Sequence, residues 1–146
     1  MIIRQMTASD YEKVYAMWLT CKGMLLTDVD DSKEGITAFL EKNPTTCFVA
    51  EDNGEIIGSV LGGSDGRRGY IYHASVRPDR RREGIGKMLI DRALEAFKGV
   101  GIKMAALLVY RGNDAGNALW DCEGFSRKDD ILYRTKELCK VVKIRT

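Results

Sequence analysis

Histidine occurs once in this chain, at position 73, and the four cysteines, Cys21, Cys47, Cys122 and Cys139, stand far apart with no C-x-x-C pair. That leaves no ligand set for a structural zinc, so no metal is expected. Reduced thiols, as in a cytoplasm, are the simplest state. No stretch approaches the ~18 consecutive apolar residues of a membrane span, and the segment Met1 to Met6 turns polar too early for a signal peptide. A cytoplasmic location follows as the expectation. An excess of one charge is missing too: 23 basic residues face 21 acidic ones, a net charge of +2. Bulk charge therefore argues against nucleic acid or a membrane as the main partner. With no internal repeat, low-complexity segment or linker, residues 1–146 read as one domain, the basic end from Lys140 to Thr146 being a candidate tail.

What is present alternates between two periodicities. An apolar strand, Ile2 to Met6, precedes Thr7 and Asp10 at the spacing of a helix-capping pair. Val14, Met17, Trp18 and Cys21 then fall at i, i+3, i+4 and i+7, one apolar stripe of a helix. Ile36, Phe39 and Leu40 mark a second helix ending near Pro44. From Cys47 the pattern turns strand-like: Cys47 to Glu51, a hairpin turn at Asp52-Asn53-Gly54, then Ile56 to Leu61. A turn-rich connection from Gly62 to Gly69 leads to a strand from Tyr70 to Val76. Ile85, Leu89, Ala93 and Phe97 recur at helical spacing before the apolar run Met104 to Val109. Strand, helix and strand in that order imply a parallel crossover. Asn113 is placed to start another helix that Gly124 ends, and Ile131 to Leu138 reads as a last strand paired with Phe125 to Lys128. The expected fold class is mixed α/β: an antiparallel meander followed by a parallel β-α-β crossover.

The chemistry concentrates in one segment. The strand ending at Val76 runs into Arg77-Pro78-Asp79-Arg80-Arg81-Arg82-Glu83-Gly84-Ile85-Gly86-Lys87, a basic loop with two glycines at a helix start. Unpaired N–H groups, the positive end of the helix dipole and close backbone approach at glycine suit an anion, with a diphosphate as the natural guest. Leu89 stands where a dinucleotide fingerprint needs its third glycine. Arg81 and Met88 stand where a P-loop needs glycine and Ser or Thr. Neither nucleotide loop is present.

The pattern Arg81-x-x-Gly84-x-Gly86 after Val76-x-Pro78 resembles the GCN5-related N-acetyltransferase (GNAT) family, in which R/Q-x-x-G-x-G/A binds the pyrophosphate of coenzyme A. Asn113, Leu119-Trp120 and Gly124-Phe125 look like a second stretch of that family, and Asp65-Gly66-Arg67-Arg68-Gly69 resembles a bacterial subgroup of uncharacterised members. The resemblance implies a GNAT-like domain with splayed central strands and transfer of an acetyl group from acetyl-coenzyme A to a primary amine of a small molecule or peptide. It implies main-chain contacts to pantetheine around Ser75 and Val76, and to pyrophosphate along Arg81, Arg82, Glu83, Gly84, Ile85, Gly86 and Lys87, with Asn113 near the pantetheine or the thioester. Family members are often dimers, so a homodimer is implied as well.

Two departures and several other readings stay open. Trp120 stands where many members carry a tyrosine that protonates the leaving thiolate, and an indole N–H is no acid at neutral pH. Tyr110, Tyr133 or water are the substitutes. Gly116 replaces the family's alanine. His73 is the candidate general base, against the plainer reading of a core or surface histidine. Strict alternation sets it on the side of the strand opposite Tyr72. Asn113 is equally readable as a helix cap alone. Cys122, between Asp121 and Glu123, is a poor nucleophile. Asp28, Asp30 and Asp31 hint at a cationic acceptor or are a solvated helix start. An acetyl-coenzyme A-binding regulatory module without turnover is the alternative function, and a nucleic-acid-binding domain using Arg80 to Arg82 is a third.

Overall fold

A computed structural model describes residues 1–146. The chain starts with β1 (Ile2–Gln5) and enters α1 (Tyr11–Leu19) through a 3-10 turn, Ala8–Asp10. The Asp10 carboxylate accepts the main-chain N–H of Thr7 at 2.8 Å, and the Arg4 guanidinium grips both of its oxygens at 2.8 and 2.9 Å. Burial pushes that carboxyl up, but the hydrogen bonds from Arg4 and Thr7 outweigh it and hold its pKa below the ordinary value. A two-residue strand, β2 (Leu26–Thr27), leads to α2 (Lys33–Lys42), whose cap Ser32 accepts from the N–H of Gly35. Then come β3 (Phe48–Asp52), β4 (Glu55–Ser64), β5 (Gly69–Val76), α3 (Ile85–Gly99), β6 (Ala105–Leu107), α4 (Asp114–Cys122) and β7 (Lys143–Ile144).

The main sheet has the order β1-β3-β4-β5-β6. All its neighbours are antiparallel except β5 and β6, which are parallel and joined over one face by α3. The mixed α/β architecture read from the periodicities is the one observed. Asn53 and Gly54, both at positive φ, make the β3–β4 hairpin turn where the sequence placed it. One core lies under α1 and α2 (Val14, Met17, Trp18, Ile36, Leu40), the other under α3 (Ile57, Val60, Ile85, Leu89, Phe97). Each fully buried aliphatic side chain contributes roughly 1.5–3 kcal/mol, so these two layers hold the sheet rigid between them.

The structure departs from the sequence reading in three places. β4 runs on through Gly62 and Gly63, which read as loop. A Cβ on Gly62 would meet the Thr46 carbonyl oxygen at 2.5 Å, and one on Gly63 would meet the Phe39 ring at 2.6 Å. Here glycine marks close packing on a strand rather than a turn. The apolar run Met104 to Val109 yields only the short β6. Ile131 to Leu138 is not a strand and does not pair with Phe125 to Lys128; the chain from Phe125 to Val142 holds no helix or strand. Its apolar residues Ile131, Leu132 and Tyr133 are consecutive rather than alternating, so no single face could be buried, and β6 offers a ladder of three residues.

The basic end is engaged instead. β7 pairs antiparallel with β2, the Thr146 hydroxyl accepts the N–H of Met24 at 3.0 Å, and Asp28 and Val142 exchange hydrogen bonds. These contacts pin the loop between α1 and α2.

Cys21 and Cys47 are buried and Cys122 and Cys139 exposed, all four as free thiols. Burial pushes the Cys47 thiol up to about 11. A thiol reagent at mildly alkaline pH is expected to label two cysteines in the native protein and four after denaturation, counted by intact mass. Native labelling of Cys47 would contradict the packing.

Candidate active site

The parallel ladder between β5 and β6 covers only Gly69, Tyr70 and Ile71 against Ala105, Ala106 and Leu107. Beyond Ile71 the strands part, and the edge of β5 from His73 to Val76 faces a cleft of about 710 Å³. The other walls are the end of β6, the loop after α1, the start of α3 and the side of α4. Arg77 turns its N–H toward β4, donating to the Ile57 carbonyl at 2.8 Å. Strand alternation therefore turns the Val76 N–H and carbonyl to the open edge. The free protein satisfies that carbonyl with Arg81 Nε at 3.2 Å and the Cys21 thiol at 3.6 Å.

From Val76 the chain passes a 3-10 turn, Pro78–Arg80, and reaches α3 through Arg82 and Gly84, with φ of 65° and 78°. Two left-handed residues so close together turn successive N–H groups inward, a concave anion site. The first helical bond runs from the Met88 N–H to the Gly84 carbonyl, so the N–H groups just before it have no intrahelical partner. Around this loop Arg80 is tied to Glu83 and Asp52, Arg77 to Asp79 and Glu55, and Lys87 to Asp91 and Glu123. Neither Arg81 nor Arg82 makes an ion pair; Arg81 donates to the Val76 carbonyl, which leaves Arg82 as the cation of the run without a side-chain partner. The arrangement fits an extended chain along β5 that ends in a diphosphate at the start of α3.

A sequence profile described as the acetyltransferase (GNAT) family matches residues 11–125. This chain belongs to that family. It is 34% identical over 138 residues to an acetyltransferase of Sodalis glossinidius, covering 94% of this chain and 96% of the relative. It is 40% identical over 115 residues to an acetyltransferase of Pectobacterium atrosepticum, covering 79% and 80%. The PaiA N-acetyltransferase of Thermoplasma acidophilum, solved in complex with coenzyme A, has the same fold with a TM-score of 0.73 at 21% identity, covering 89% of this chain and 92% of that one. As a GNAT member the chain is an acetyl-coenzyme A-dependent N-acetyltransferase.

In this GNAT frame the residues named from sequence separate into those that line the cleft and those that do not. Ser75, Val76, Arg81, Arg82, Gly84, Ile85, Gly86, Lys87 and Asn113 all line the cleft, and Glu83 does not. Two of these side chains are engaged elsewhere. The Ser75 hydroxyl is turned to Ser59 and Met17, and the Ile85 side chain is in the core. Asn113 caps α4, its side-chain oxygen accepting from the Gly116 N–H at 3.0 Å. A Cβ on Gly116 would lie 2.5 Å from the Asn113 amide nitrogen, so an alanine here would require the cap side chain to shift.

Trp120 lines the cleft and packs edge-on against Phe125 at 5.3 Å, a wall rather than an acid. Tyr110 is exposed at the same cleft, whereas Tyr133 does not line it. Cys122 is not among the lining residues either.

His73 shows the largest departure from simple alternation. Its φ is +49°, and the β4–β5 register shifts between Ser59 and Leu61, so the strand bulges there. The bulge sets His73 on the same face as Tyr72, not the opposite one. Tyr72 meets Phe39 of α2 at 5.9 Å and the imidazole meets Trp18 of α1 at 4.7 Å. His73 nonetheless reaches the cleft, and its Nε2 lies 2.6 Å from Oδ1 of Asp31. Sequence reasoning missed this partner. Asp31 lies 42 positions away, and no local spacing signals the pairing.

Proposed function

We propose that this chain acetylates a primary amine of a small molecule or peptide by direct attack on acetyl-coenzyme A. The observation that carries this reading is the open edge of β5 running without interruption into the left-handed loop and N-terminus of α3. Pantetheine would lie along Ser75 and Val76, and the pyrophosphate on the N–H groups from Arg81 to Lys87, with Arg82 supplying charge. Asn113, its amide nitrogen without a protein partner, would face the thioester end.

The amine nitrogen attacks the thioester carbon, an N–C bond forms and the C–S bond breaks. The Val76 N–H on the open edge would hold the negative charge that develops on the carbonyl oxygen. His73 would take the proton from the attacking ammonium. Coenzyme A leaves as a thiolate, tolerable for a thiol whose ordinary pKa is near ~8.5. Tyr110, the phenol lining the cleft, is the candidate to return a proton to it. No enzyme-bound intermediate is invoked.

The hint of a cationic acceptor weakens in three dimensions. Asp31 is buried against His73 and Thr27, and Asp28, though exposed, accepts the Val142 N–H, which leaves Asp30 as the one exposed carboxylate of the three without a hydrogen bond.

Trp120 in place of a tyrosine favours a second reading, binding of acetyl-coenzyme A without turnover. A panel of alkyl amines, amino-acid amides and peptide N-termini, assayed for coenzyme A release alongside calorimetric binding, separates the two. Release with at least one amine supports catalysis; tight binding with no release from any amine supports the regulatory reading.

A further inference from the structure

We infer that Asp31 is a positioning residue that fixes the tautomer of His73, and that the loop between α1 and α2 thereby controls the catalytic base. The inference rests on the proposed role of His73. Asp31 is a carboxylate with 3% of its surface exposed, and its polar atoms are individually accounted for. Oδ2 accepts the Thr27 main-chain N–H at 2.8 Å, and the Asp31 carbonyl oxygen accepts the Tyr11 hydroxyl at 2.7 Å. Oδ1 is left for His73 Nε2 at 2.6 Å. A carboxylate only accepts, so the neutral imidazole must carry its proton on Nε2 and present Nδ1 as the free lone pair.

Nδ1 makes no hydrogen bond within the protein. Since no buried polar side-chain atom lacks a partner, Nδ1 keeps some solvent exposure, and the cleft is the open space that His73 lines. The ring is held on its other sides by Trp18, and the His73 carbonyl accepts from the Ser59 hydroxyl at 3.3 Å. A non-glycine residue kept at positive φ, as His73 is, is strained and persists where surrounding contacts over-determine it. The bulge and Asp31 together aim one nitrogen at the cleft.

Asp31→Asn tests this, because the half-buried Thr27 N–H still needs an acceptor. The amide oxygen stays with Thr27, and the amide NH2 then faces Nε2. That forces the proton to Nδ1, the tautomer that cannot act as base. With a single histidine in the chain, ¹⁵N NMR of tag-free protein at about pH 9, where an ordinary imidazole is neutral, reads one imidazole without assignment. The expected result is an Nε2–H tautomer in the wild type and an Nδ1–H tautomer in Asp31→Asn. The kcat of the variant should fall about 100-fold with KM within about twofold. Adding Asp31→Asn to His73→Gln should lower kcat no further, since two parts of one device do not add.

An Nδ1–H tautomer in the wild type overturns the inference even if the variant does not fold. So does a variant that keeps the Nε2–H tautomer, or one whose loss adds fully to that of His73→Gln. If no amine is acetylated at all, the proposed function fails, while the tautomer still decides the role of Asp31.

Discussion

Gly86→Asp is expected to raise the stability of the protein while abolishing its affinity for acetyl-coenzyme A. Gly86 is the second residue of α3, and a Cβ there meets only Val76 at 3.7 Å and Leu119 at 3.9 Å, both ordinary contacts. Aspartate is only a slightly better helix former than glycine, so this exchange recovers about 0.3 kcal/mol. An acidic side chain in the first turn adds about 0.3–1 kcal/mol with the helix dipole. The melting temperature should therefore rise by about 2–4 °C. The same carboxylate occupies the place proposed for the diphosphate. At about 4 Å and an effective dielectric of ~20, one pair of like charges costs about 4 kcal/mol, enough to weaken binding at least ~100-fold. Calorimetry and thermal unfolding read the two effects separately. Binding within about threefold of the wild type would place the pyrophosphate elsewhere.

His73→Gln should reduce kcat by about 10²–10³-fold for an alkyl amine with little change in KM. Glutamine suits the test because its amide nitrogen can occupy the place of Nε2 and keep the hydrogen bond to Asp31, while no lone pair of comparable basicity remains toward the cleft. An acceptor that needs no deprotonation makes the assay specific. An arylamine, neutral at the assay pH, should lose far less than the alkyl amine. Equal losses for both acceptors would assign His73 a structural role in holding the bulge. Because the side chain touches Trp18 at the top of α1, circular dichroism and melting of the variant should accompany the kinetics.

The parts of this molecule legible in the sequence are those with a local physical signature. The α3 stripe, the Asn53-Gly54 turn, the Asn113 cap and the strand-loop-helix around Gly84 each follow from residue type and spacing. Membership in the acetyltransferase (GNAT) family was legible in that same loop and in the Asn113 to Phe125 stretch. What was not legible depends on residues distant in the chain. Gly62 and Gly63 read as a loop because their real constraint, the approach of Thr46 and Phe39, is tertiary. Ile131 to Leu138 read as a strand because its composition suits one, although its pattern buries no face. The tail from Lys140 read as loose because the two-residue β2 that receives it has no sequence signal of its own. At the site, His73 was visible as the only imidazole, but its direction was not: a bulge inverts alternation, and nothing local announces it. Asp31 read as one of three acids that either hinted at a cationic acceptor or were a solvated helix start, until the fold set it against the imidazole.

The most direct test of the central claim is a crystal structure of the protein with acetyl-coenzyme A. The pyrophosphate oxygens are expected within ~3.2 Å of main-chain nitrogens between Arg81 and Lys87. The pantetheine should pair with the open edge of β5 at Val76, and the thioester should lie on the side of the cleft that His73 lines. A cofactor bound without contact to the Arg81 to Lys87 segment would contradict the account.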